Sequence, residues 1–276
     1  MILAAYGRSA VDLVRVMVTH RRLLQALAGR DVRDEYVGHG LAVAWPVIQP
    51  LFMMLIYWFC FTKIFPTKVQ AGGRLPTDAT IYLLSGIIPW IVLSQVMSRS
   101  LASVVGNGSI IKQIMFPLEL LPLKVLATPL LYGGVSVAFL ICYGVYQAGW
   151  EAALVYLWGL PLLLALSLPL IVGLSLILST LQVFLRDFRE LVIIFVNVGI
   201  FIHPILYFPD AVPAAVRPII FLSPFSYLLF CWQDIFYFGA IARPWAWEVT
   251  AALVALMFVF GARLFAGAKP YFADFL

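Results

Sequence analysis

Charge is what this chain has least of. Only 11% of its 276 residues are Asp, Glu, Lys or Arg, against about 25% in an ordinary soluble domain. Meanwhile 63% are hydrophobic and the mean hydropathy is +1.01, so the sequence specifies a polytopic membrane protein. Cysteine is nearly absent as well. Cys60, Cys142 and Cys231 stand apart inside apolar runs with no CxxC spacing, which speaks against disulfides and metal sites and for packed or lipid-facing thiols.

Other absences narrow the chemistry. None of the five lysines (Lys63, Lys68, Lys112, Lys124, Lys269) is followed by Ser or Thr, so the phosphate cradle GxxxxGK[ST] is missing and any ATP is hydrolysed elsewhere. Ion-coupled transporters place ionisable groups within their spans. Here the proposed span cores hold none except Glu248. A membrane enzyme needs clustered carboxylates, and the best cluster, Asp187 with Glu190, alternates with Arg186 and Arg189 as a self-paired turn in water. The excess of basic over acidic residues, 18 to 13, reports topology rather than nucleic-acid binding. The first 43 residues carry four acids and six arginines before any long apolar run. That is no cleavable signal peptide.

What is present is a series of long apolar runs arranged around a short segment, SIIKQIMFPLE (residues 109–119). The expected fold is all-α: an amphipathic interfacial helix over residues 1–40, then six spans at about 41–62, 79–105, 122–149, 153–185, 190–208 and 244–265. The first region interleaves Arg8, Arg15, Arg21, Arg22, Arg30 and Arg33 with valines and leucines, the pattern of a helix on a membrane surface or of a plain positive-inside anchor. From Ala152 to Leu185 run 34 uncharged residues, about 51 Å as straight helix and longer than a bilayer core is thick. A break at Pro161 and Pro169, or a projecting end, is expected there. Residues 203–238 are broken by prolines and read as a re-entrant element. With six spans, thirteen Lys and Arg fall on the side of both termini and of segment 109–119, and five on the other. That side is therefore expected to be cytoplasmic.

Aromatic residues are plentiful, at 15%. Tyr57, Trp58, Phe61, Tyr82, Trp90 and Tyr207 are candidates to line or gate a conduit, since flat apolar faces support sugar rings without fixing them. Packing against lipid or protein is the alternative for each. His203 is either a gating group or a hydrogen-bonded structural histidine.

The order of these pieces resembles the permease subunit of ABC transporters that export O-antigen, capsular polysaccharide or teichoic acid. The matching stretches are residues 29–52, LLSGIIPWIVLSQVMSRS, IIKQIMFPLELLPL, FLRDFREL, HPILYFP and LSPFSYLL, and the closing KPYFADFL looks like the O-antigen branch. The resemblance implies a homodimer of six-span subunits in a bacterial inner membrane, both termini cytoplasmic. It also implies two ATP-binding subunits carrying ATP and Mg, and an undecaprenyl-pyrophosphate-linked polysaccharide as cargo. In it, Ile110, Lys112, Phe116 and Glu119 belong to the segment that docks on the ATPase. The stretch holding Arg30 and Arg33 is an interfacial helix at the entrance for lipid pyrophosphate, which guanidinium groups bind bidentately. The family often has a basic residue where Leu118 stands and Ser where His203 stands. The same architecture carrying a drug or small lipid, or an ATP-independent glycan flippase, are the alternative readings.

Overall fold

Hydrocarbon offers no partner to a backbone N–H or C=O, and a helix satisfies both within its own chain. The structure, a computed structural model, describes residues 2–36, 44–64, 75, 77–108, 117–213, 215 and 217–275. Among these residues there is no strand. Two helices, α1 (Ile2–Thr19) and α2 (Arg21–Tyr36), precede α3 (Trp45–Phe59), which ends in a π turn, and α4 (Ala79–Val105). The short α5 (Leu120–Lys124) leads into α6 (Ala127–Phe184), followed by α7 (Phe188–Ile202). Then come the short α8 (Arg217–Leu222) and α9 (Pro224–Gln233), the long α10 (Pro244–Ala268) and the terminal α11 (Phe272–Phe275).

Four helical stretches among the described residues are long and apolar enough to cross a membrane: Trp45–Ile64, Ala79–Val105, Leu120–Phe184 and Pro244–Phe275. The third has 65 residues and would be about 98 Å long if straight, three times a bilayer core. It folds back at Gly149, whose φ of 62° and ψ of −144° suit a residue without a Cβ. A methyl group on Gly144 would collide with the ring of Tyr156, although twelve residues of continuous helix would hold the two about 18 Å apart. So α6 is a hairpin of two antiparallel halves, turning in the gap between the runs at 122–149 and 153–185. The break expected at Pro161 and Pro169 does not occur. The second half passes through both to Phe184, because a proline removes only one N–H and the helix's buried face, with Leu163, Ser167 and Leu170, keeps it packed.

The fifth expected span is α7, whose 15 residues reach about 22 Å. The region before the last helix forms two short helices of 6 and 10 residues, neither able to cross about 30 Å of hydrocarbon. The single surface helix expected over residues 1–40 is divided at His20 into α1, which packs along α10, and α2, which lies against α5 and α6. In α1, Leu13 faces inward while Val11, Val14 and Val18 face out.

At the centre stands α4, buried continuously from Ala79 to Trp90. It packs against both α6 and α9. By contrast α3 keeps most of its apolar surface outside the chain. The second half of α6 meets α10 at Gly173 and Gly261. A Cβ on Gly173 would lie 2.5 Å from the Met257 carbonyl oxygen, and one on Gly261 would strike the Gly173 carbonyl. Backbones this close exploit the small-residue contact by which membrane helices gain dispersion energy. Gly173→Leu is therefore expected to lower stability by about 1–3 kcal/mol through overpacking. Gly267→Ala, where a methyl meets nothing within 4 Å, should not. Thermal unfolding in detergent separates the two, and equal midpoints would refute the contact's importance.

Candidate functional site

Both ends of the helical bundle carry polar constellations. At the end holding the termini, α2 presents Leu24, Leu27, Ala28, Asp31 and Glu35 on one face at helical spacing. Lys124 Nζ, from α5, donates to Asp31 Oδ1 at 3.0 Å, and the Arg99 guanidinium, from α4, donates to Glu35. Lys269, just beyond α10, donates to both carboxylate oxygens of Glu119 at 2.8 and 3.1 Å. These side chains remain partly exposed, the least so being Lys124 at 13%, and such pairs contribute only about 0–1 kcal/mol each. Their consequence is position. They tie α2, α4, α5 and the C-terminal segment together around residue 119.

Arg30 and Arg33 lie on the outward side of α2. Among the described residues Arg30 reaches Asp34 of its own helix, at 3.2 Å with 77% of its side chain exposed, and Arg33 Nε donates to the Gly29 carbonyl. Their positive charge therefore faces the surroundings. Of the docking residues expected from sequence, Ile110, Lys112 and Phe116 fall outside the described residues. Glu119 is described, and Lys269 occupies it.

At the opposite end the candidate gate residues divide into two groups. Tyr57, Trp58 and Phe61 sit half-buried along α3 and its π turn, with the Tyr57 and Phe61 rings stacked 6.4 Å apart. Tyr82, Trp90 and His203 are buried within the chain's own packing, at 1%, 3% and 0% exposure. There the Tyr82 hydroxyl donates to the Tyr207 carbonyl at 3.2 Å and its ring stacks 3.9 Å from Phe208. His203 Nδ1 lies 2.6 Å from the Gly199 carbonyl and Nε2 2.7 Å from Ser223 Oγ. A carbonyl only accepts, so Nδ1 carries the proton and the neutral ring takes the serine hydroxyl at Nε2. Trp90 lies over the imidazole at 4.3 Å. It comes this close to α7 because a Cβ on Gly199 would collide with the indole. His203 thus joins the end of α7 to the start of α9, and Tyr207 caps the same turn by donating to the Ile202 carbonyl at 2.8 Å.

Sequence reasoning passed over the strongest polar group here. Asp234, fully buried, follows α9. Its Oδ1 accepts from Arg243 Nε at 2.8 Å, and its Oδ2 accepts from the Arg243 backbone N–H and from Trp247 Nε1, each at 3.0 Å. The guanidinium also lies 4.4 Å over the Phe230 ring. The available signal was an Asp ending an apolar run nine residues before a lone Arg. A second network, at the start of α4, has Tyr143 and Gln147 donating to Asp78 Oδ2 at 2.6 and 3.0 Å while Oδ1 caps the helix.

Comparison with known proteins places these features in context. The family described as ABC-2 type transporter matches residues 22–237. An O-antigen export system permease protein RfbA of Klebsiella pneumoniae is 26% identical over 254 residues, covering 92% of this chain and 95% of its own length. A second RfbA from that organism is 27% identical over 258 residues, with the same coverage. The RfbA of Myxococcus xanthus is 23% identical over 266 residues, 96% of this chain and 99% of its own.

Removing one partner of a buried ion pair strands the other charge, at a cost of about 3–5 kcal/mol. Asp234→Ala is expected to lower thermal stability by that amount. Replacing both residues, as Asp234→Ala with Arg243→Met, should restore much of it. A single variant that melts like the wild type would show that the pair does not hold this end together.

Proposed function

Since the chain belongs to the ABC-2 type transporter family and is a membrane permease subunit rather than an enzyme, we propose that it is the translocating subunit of an ATP-driven polysaccharide exporter. The cargo is an undecaprenyl-pyrophosphate-linked glycan of the O-antigen class, moved across the bacterial inner membrane. The observation that carries this reading is end-to-end likeness to permeases named for O-antigen export, over 92% or more of this chain and 95% or more of theirs. A shared membrane anchor alone would have matched only in part.

In this reading two copies of the chain form the conduit, and the partner ATPase that a family permease requires is present as two subunits that bind ATP and Mg. The two halves of α6 count as two spans. With α7 as a short fifth, each subunit has six, both termini and residues 109–119 are cytoplasmic, and residues 203–238 close the external side. Arg30 and Arg33, directed outward on α2, meet the lipid pyrophosphate as it enters. Segment 109–119, with Ile110, Lys112 and Phe116, docks on the ATPase. Glu119, held by Lys269, fixes the end of that segment to the C-terminal helix. Tyr57, Trp58 and Phe61, half-exposed along α3 and its π turn, are better placed to meet a glycan than the buried Tyr82, Trp90 and His203.

The test is to purify the chain from its native membrane in mild detergent, identify what accompanies it, and measure ATP hydrolysis with and without lipid-linked glycan. A stoichiometric P-loop subunit whose turnover the glycan stimulates is expected. Lys112→Ala and Glu119→Gln should reduce that stimulation about fivefold or more, the lower edge of ordinary coupling energies, while the complex remains assembled. Stimulation unchanged in both variants rules out the docking assignment. A chain that moves the glycan without any ATPase rules out the exporter.

A further inference from the structure

The membrane-embedded face of the protein carries a groove that none of the roles above uses. It has a volume of about 260 Å³ and lies between the two halves of the α6 hairpin, with α4 and α9 as its floor. One wall runs from Leu130 to Ile141 and the other from Leu160 to Ile171. Each wall advances eleven residues, so the groove is about 16 Å long and parallel to the hairpin axis. Leu130, Leu164 and Leu168, at 37–40% exposure, form an open rim, while Leu93 and Trp232 are buried beneath.

Three features identify what fits there. The lining is apolar but for Ser167 and the Trp232 indole N–H, and these satisfy each other, Trp232 Nε1 donating to Ser167 Oγ at 3.2 Å. An occupant therefore needs no polar atom. The groove's walls lie within a stretch long and apolar enough to span a bilayer, and its leucine rim is left uncovered by the described chain, as a surface toward hydrocarbon is. Its length is about half of a 30 Å hydrocarbon core, the depth of one leaflet, and it runs along the direction in which acyl chains lie.

We propose that this groove is a binding site for one acyl chain of a membrane phospholipid, packed lengthwise between the halves of the hairpin and against Trp232. The surrounding bilayer is as apolar as the groove, so the chain is held by dispersion contacts and exchanges with bulk lipid. Gly134 keeps the wall open, since a methyl group there meets no atom within 4 Å and a larger side chain would extend into the groove. The site supports the fold of α9 through Trp232 and does not depend on the cargo.

The experiment uses the chain with its partner ATPase in vesicles of phosphatidylethanolamine and phosphatidylglycerol whose acyl chains carry bromine, which quenches indole emission on contact. The Trp232 component is isolated as the difference between the wild type and Trp232→Phe. Most of that emission is expected to be lost in brominated vesicles relative to unbrominated ones. The loss should persist in Gly134→Ala and be relieved in Gly134→Leu, whose side chain displaces the lipid. Trp232 emission indifferent to bromine overturns the assignment and leaves the groove to a protein neighbour, such as a helix of a second copy. Quenching as strong in Gly134→Leu as in the wild type overturns it too. Relief of quenching by added polyisoprenyl-linked glycan would transfer the groove from phospholipid to the cargo's own chain.

Discussion

In hydrocarbon an unpaired peptide group costs several kcal/mol, and a charged side chain is costlier still to place. Backbone satisfaction forces every crossing to be helical, and the cost of charge drives ionisable groups to the two ends. The rest of the structure follows from how a chain with 11% charged residues meets both demands. Its helices pack by close approach, as at Gly173 with Gly261 and at Gly199 with Trp90, because little hydrophobic force acts between helices already in an apolar solvent. The few charges then act at the ends, where water or a partner can receive them.

The two ends use charge differently. At the end holding the termini, Asp31, Glu35 and Glu119 are answered by Lys124, Arg99 and Lys269 across elements far apart in sequence. These pairs are too exposed to add much stability, yet they determine which helices meet beside the segment at residue 119. At the other end Asp234 is buried and carries three hydrogen bonds, with Arg243 and Trp247 closing the connection between α9 and α10. A buried pair of this kind is costly to break, because the partner left behind is an uncompensated charge. One end is thus joined by exposed pairs, and the other holds its shape around the His203 and Tyr82 cluster.

Much of this was legible in the residues. The length and composition of the apolar runs specified helices, and the runs at 79–105 and 244–265 coincide closely with α4 and α10, because about twenty uncharged residues in succession have few other folds open to them. The three residues between the runs at 122–149 and 153–185 left room only for a tight turn, and the prolines of 203–238 excluded a continuous span there. Absence was as informative: the sequence has no GxxxxGK[ST] cradle, so any ATP that drives this chain is hydrolysed in another polypeptide.

Tertiary structure decided the rest, and the reasons are physical. That the chain turns at Gly149 and passes through Pro161 and Pro169 depends on which face of the helix finds packed neighbours, and no local propensity contains that. Burial of Tyr82, Trp90 and His203 inside one chain, while Tyr57, Trp58 and Phe61 stay half-exposed, follows from α4 taking the centre and α3 the periphery, two helices of similar hydropathy. The pairing of Glu119 with Lys269, 150 residues apart, could not be read from either site, since an exposed charge constrains its own surroundings only weakly. Sequence alone therefore determined that this chain lives in a membrane, how many apolar runs it has, and that it carries no phosphate cradle of its own. Folding determined which side chains face outward and which charges meet, because both are properties of contacts between segments.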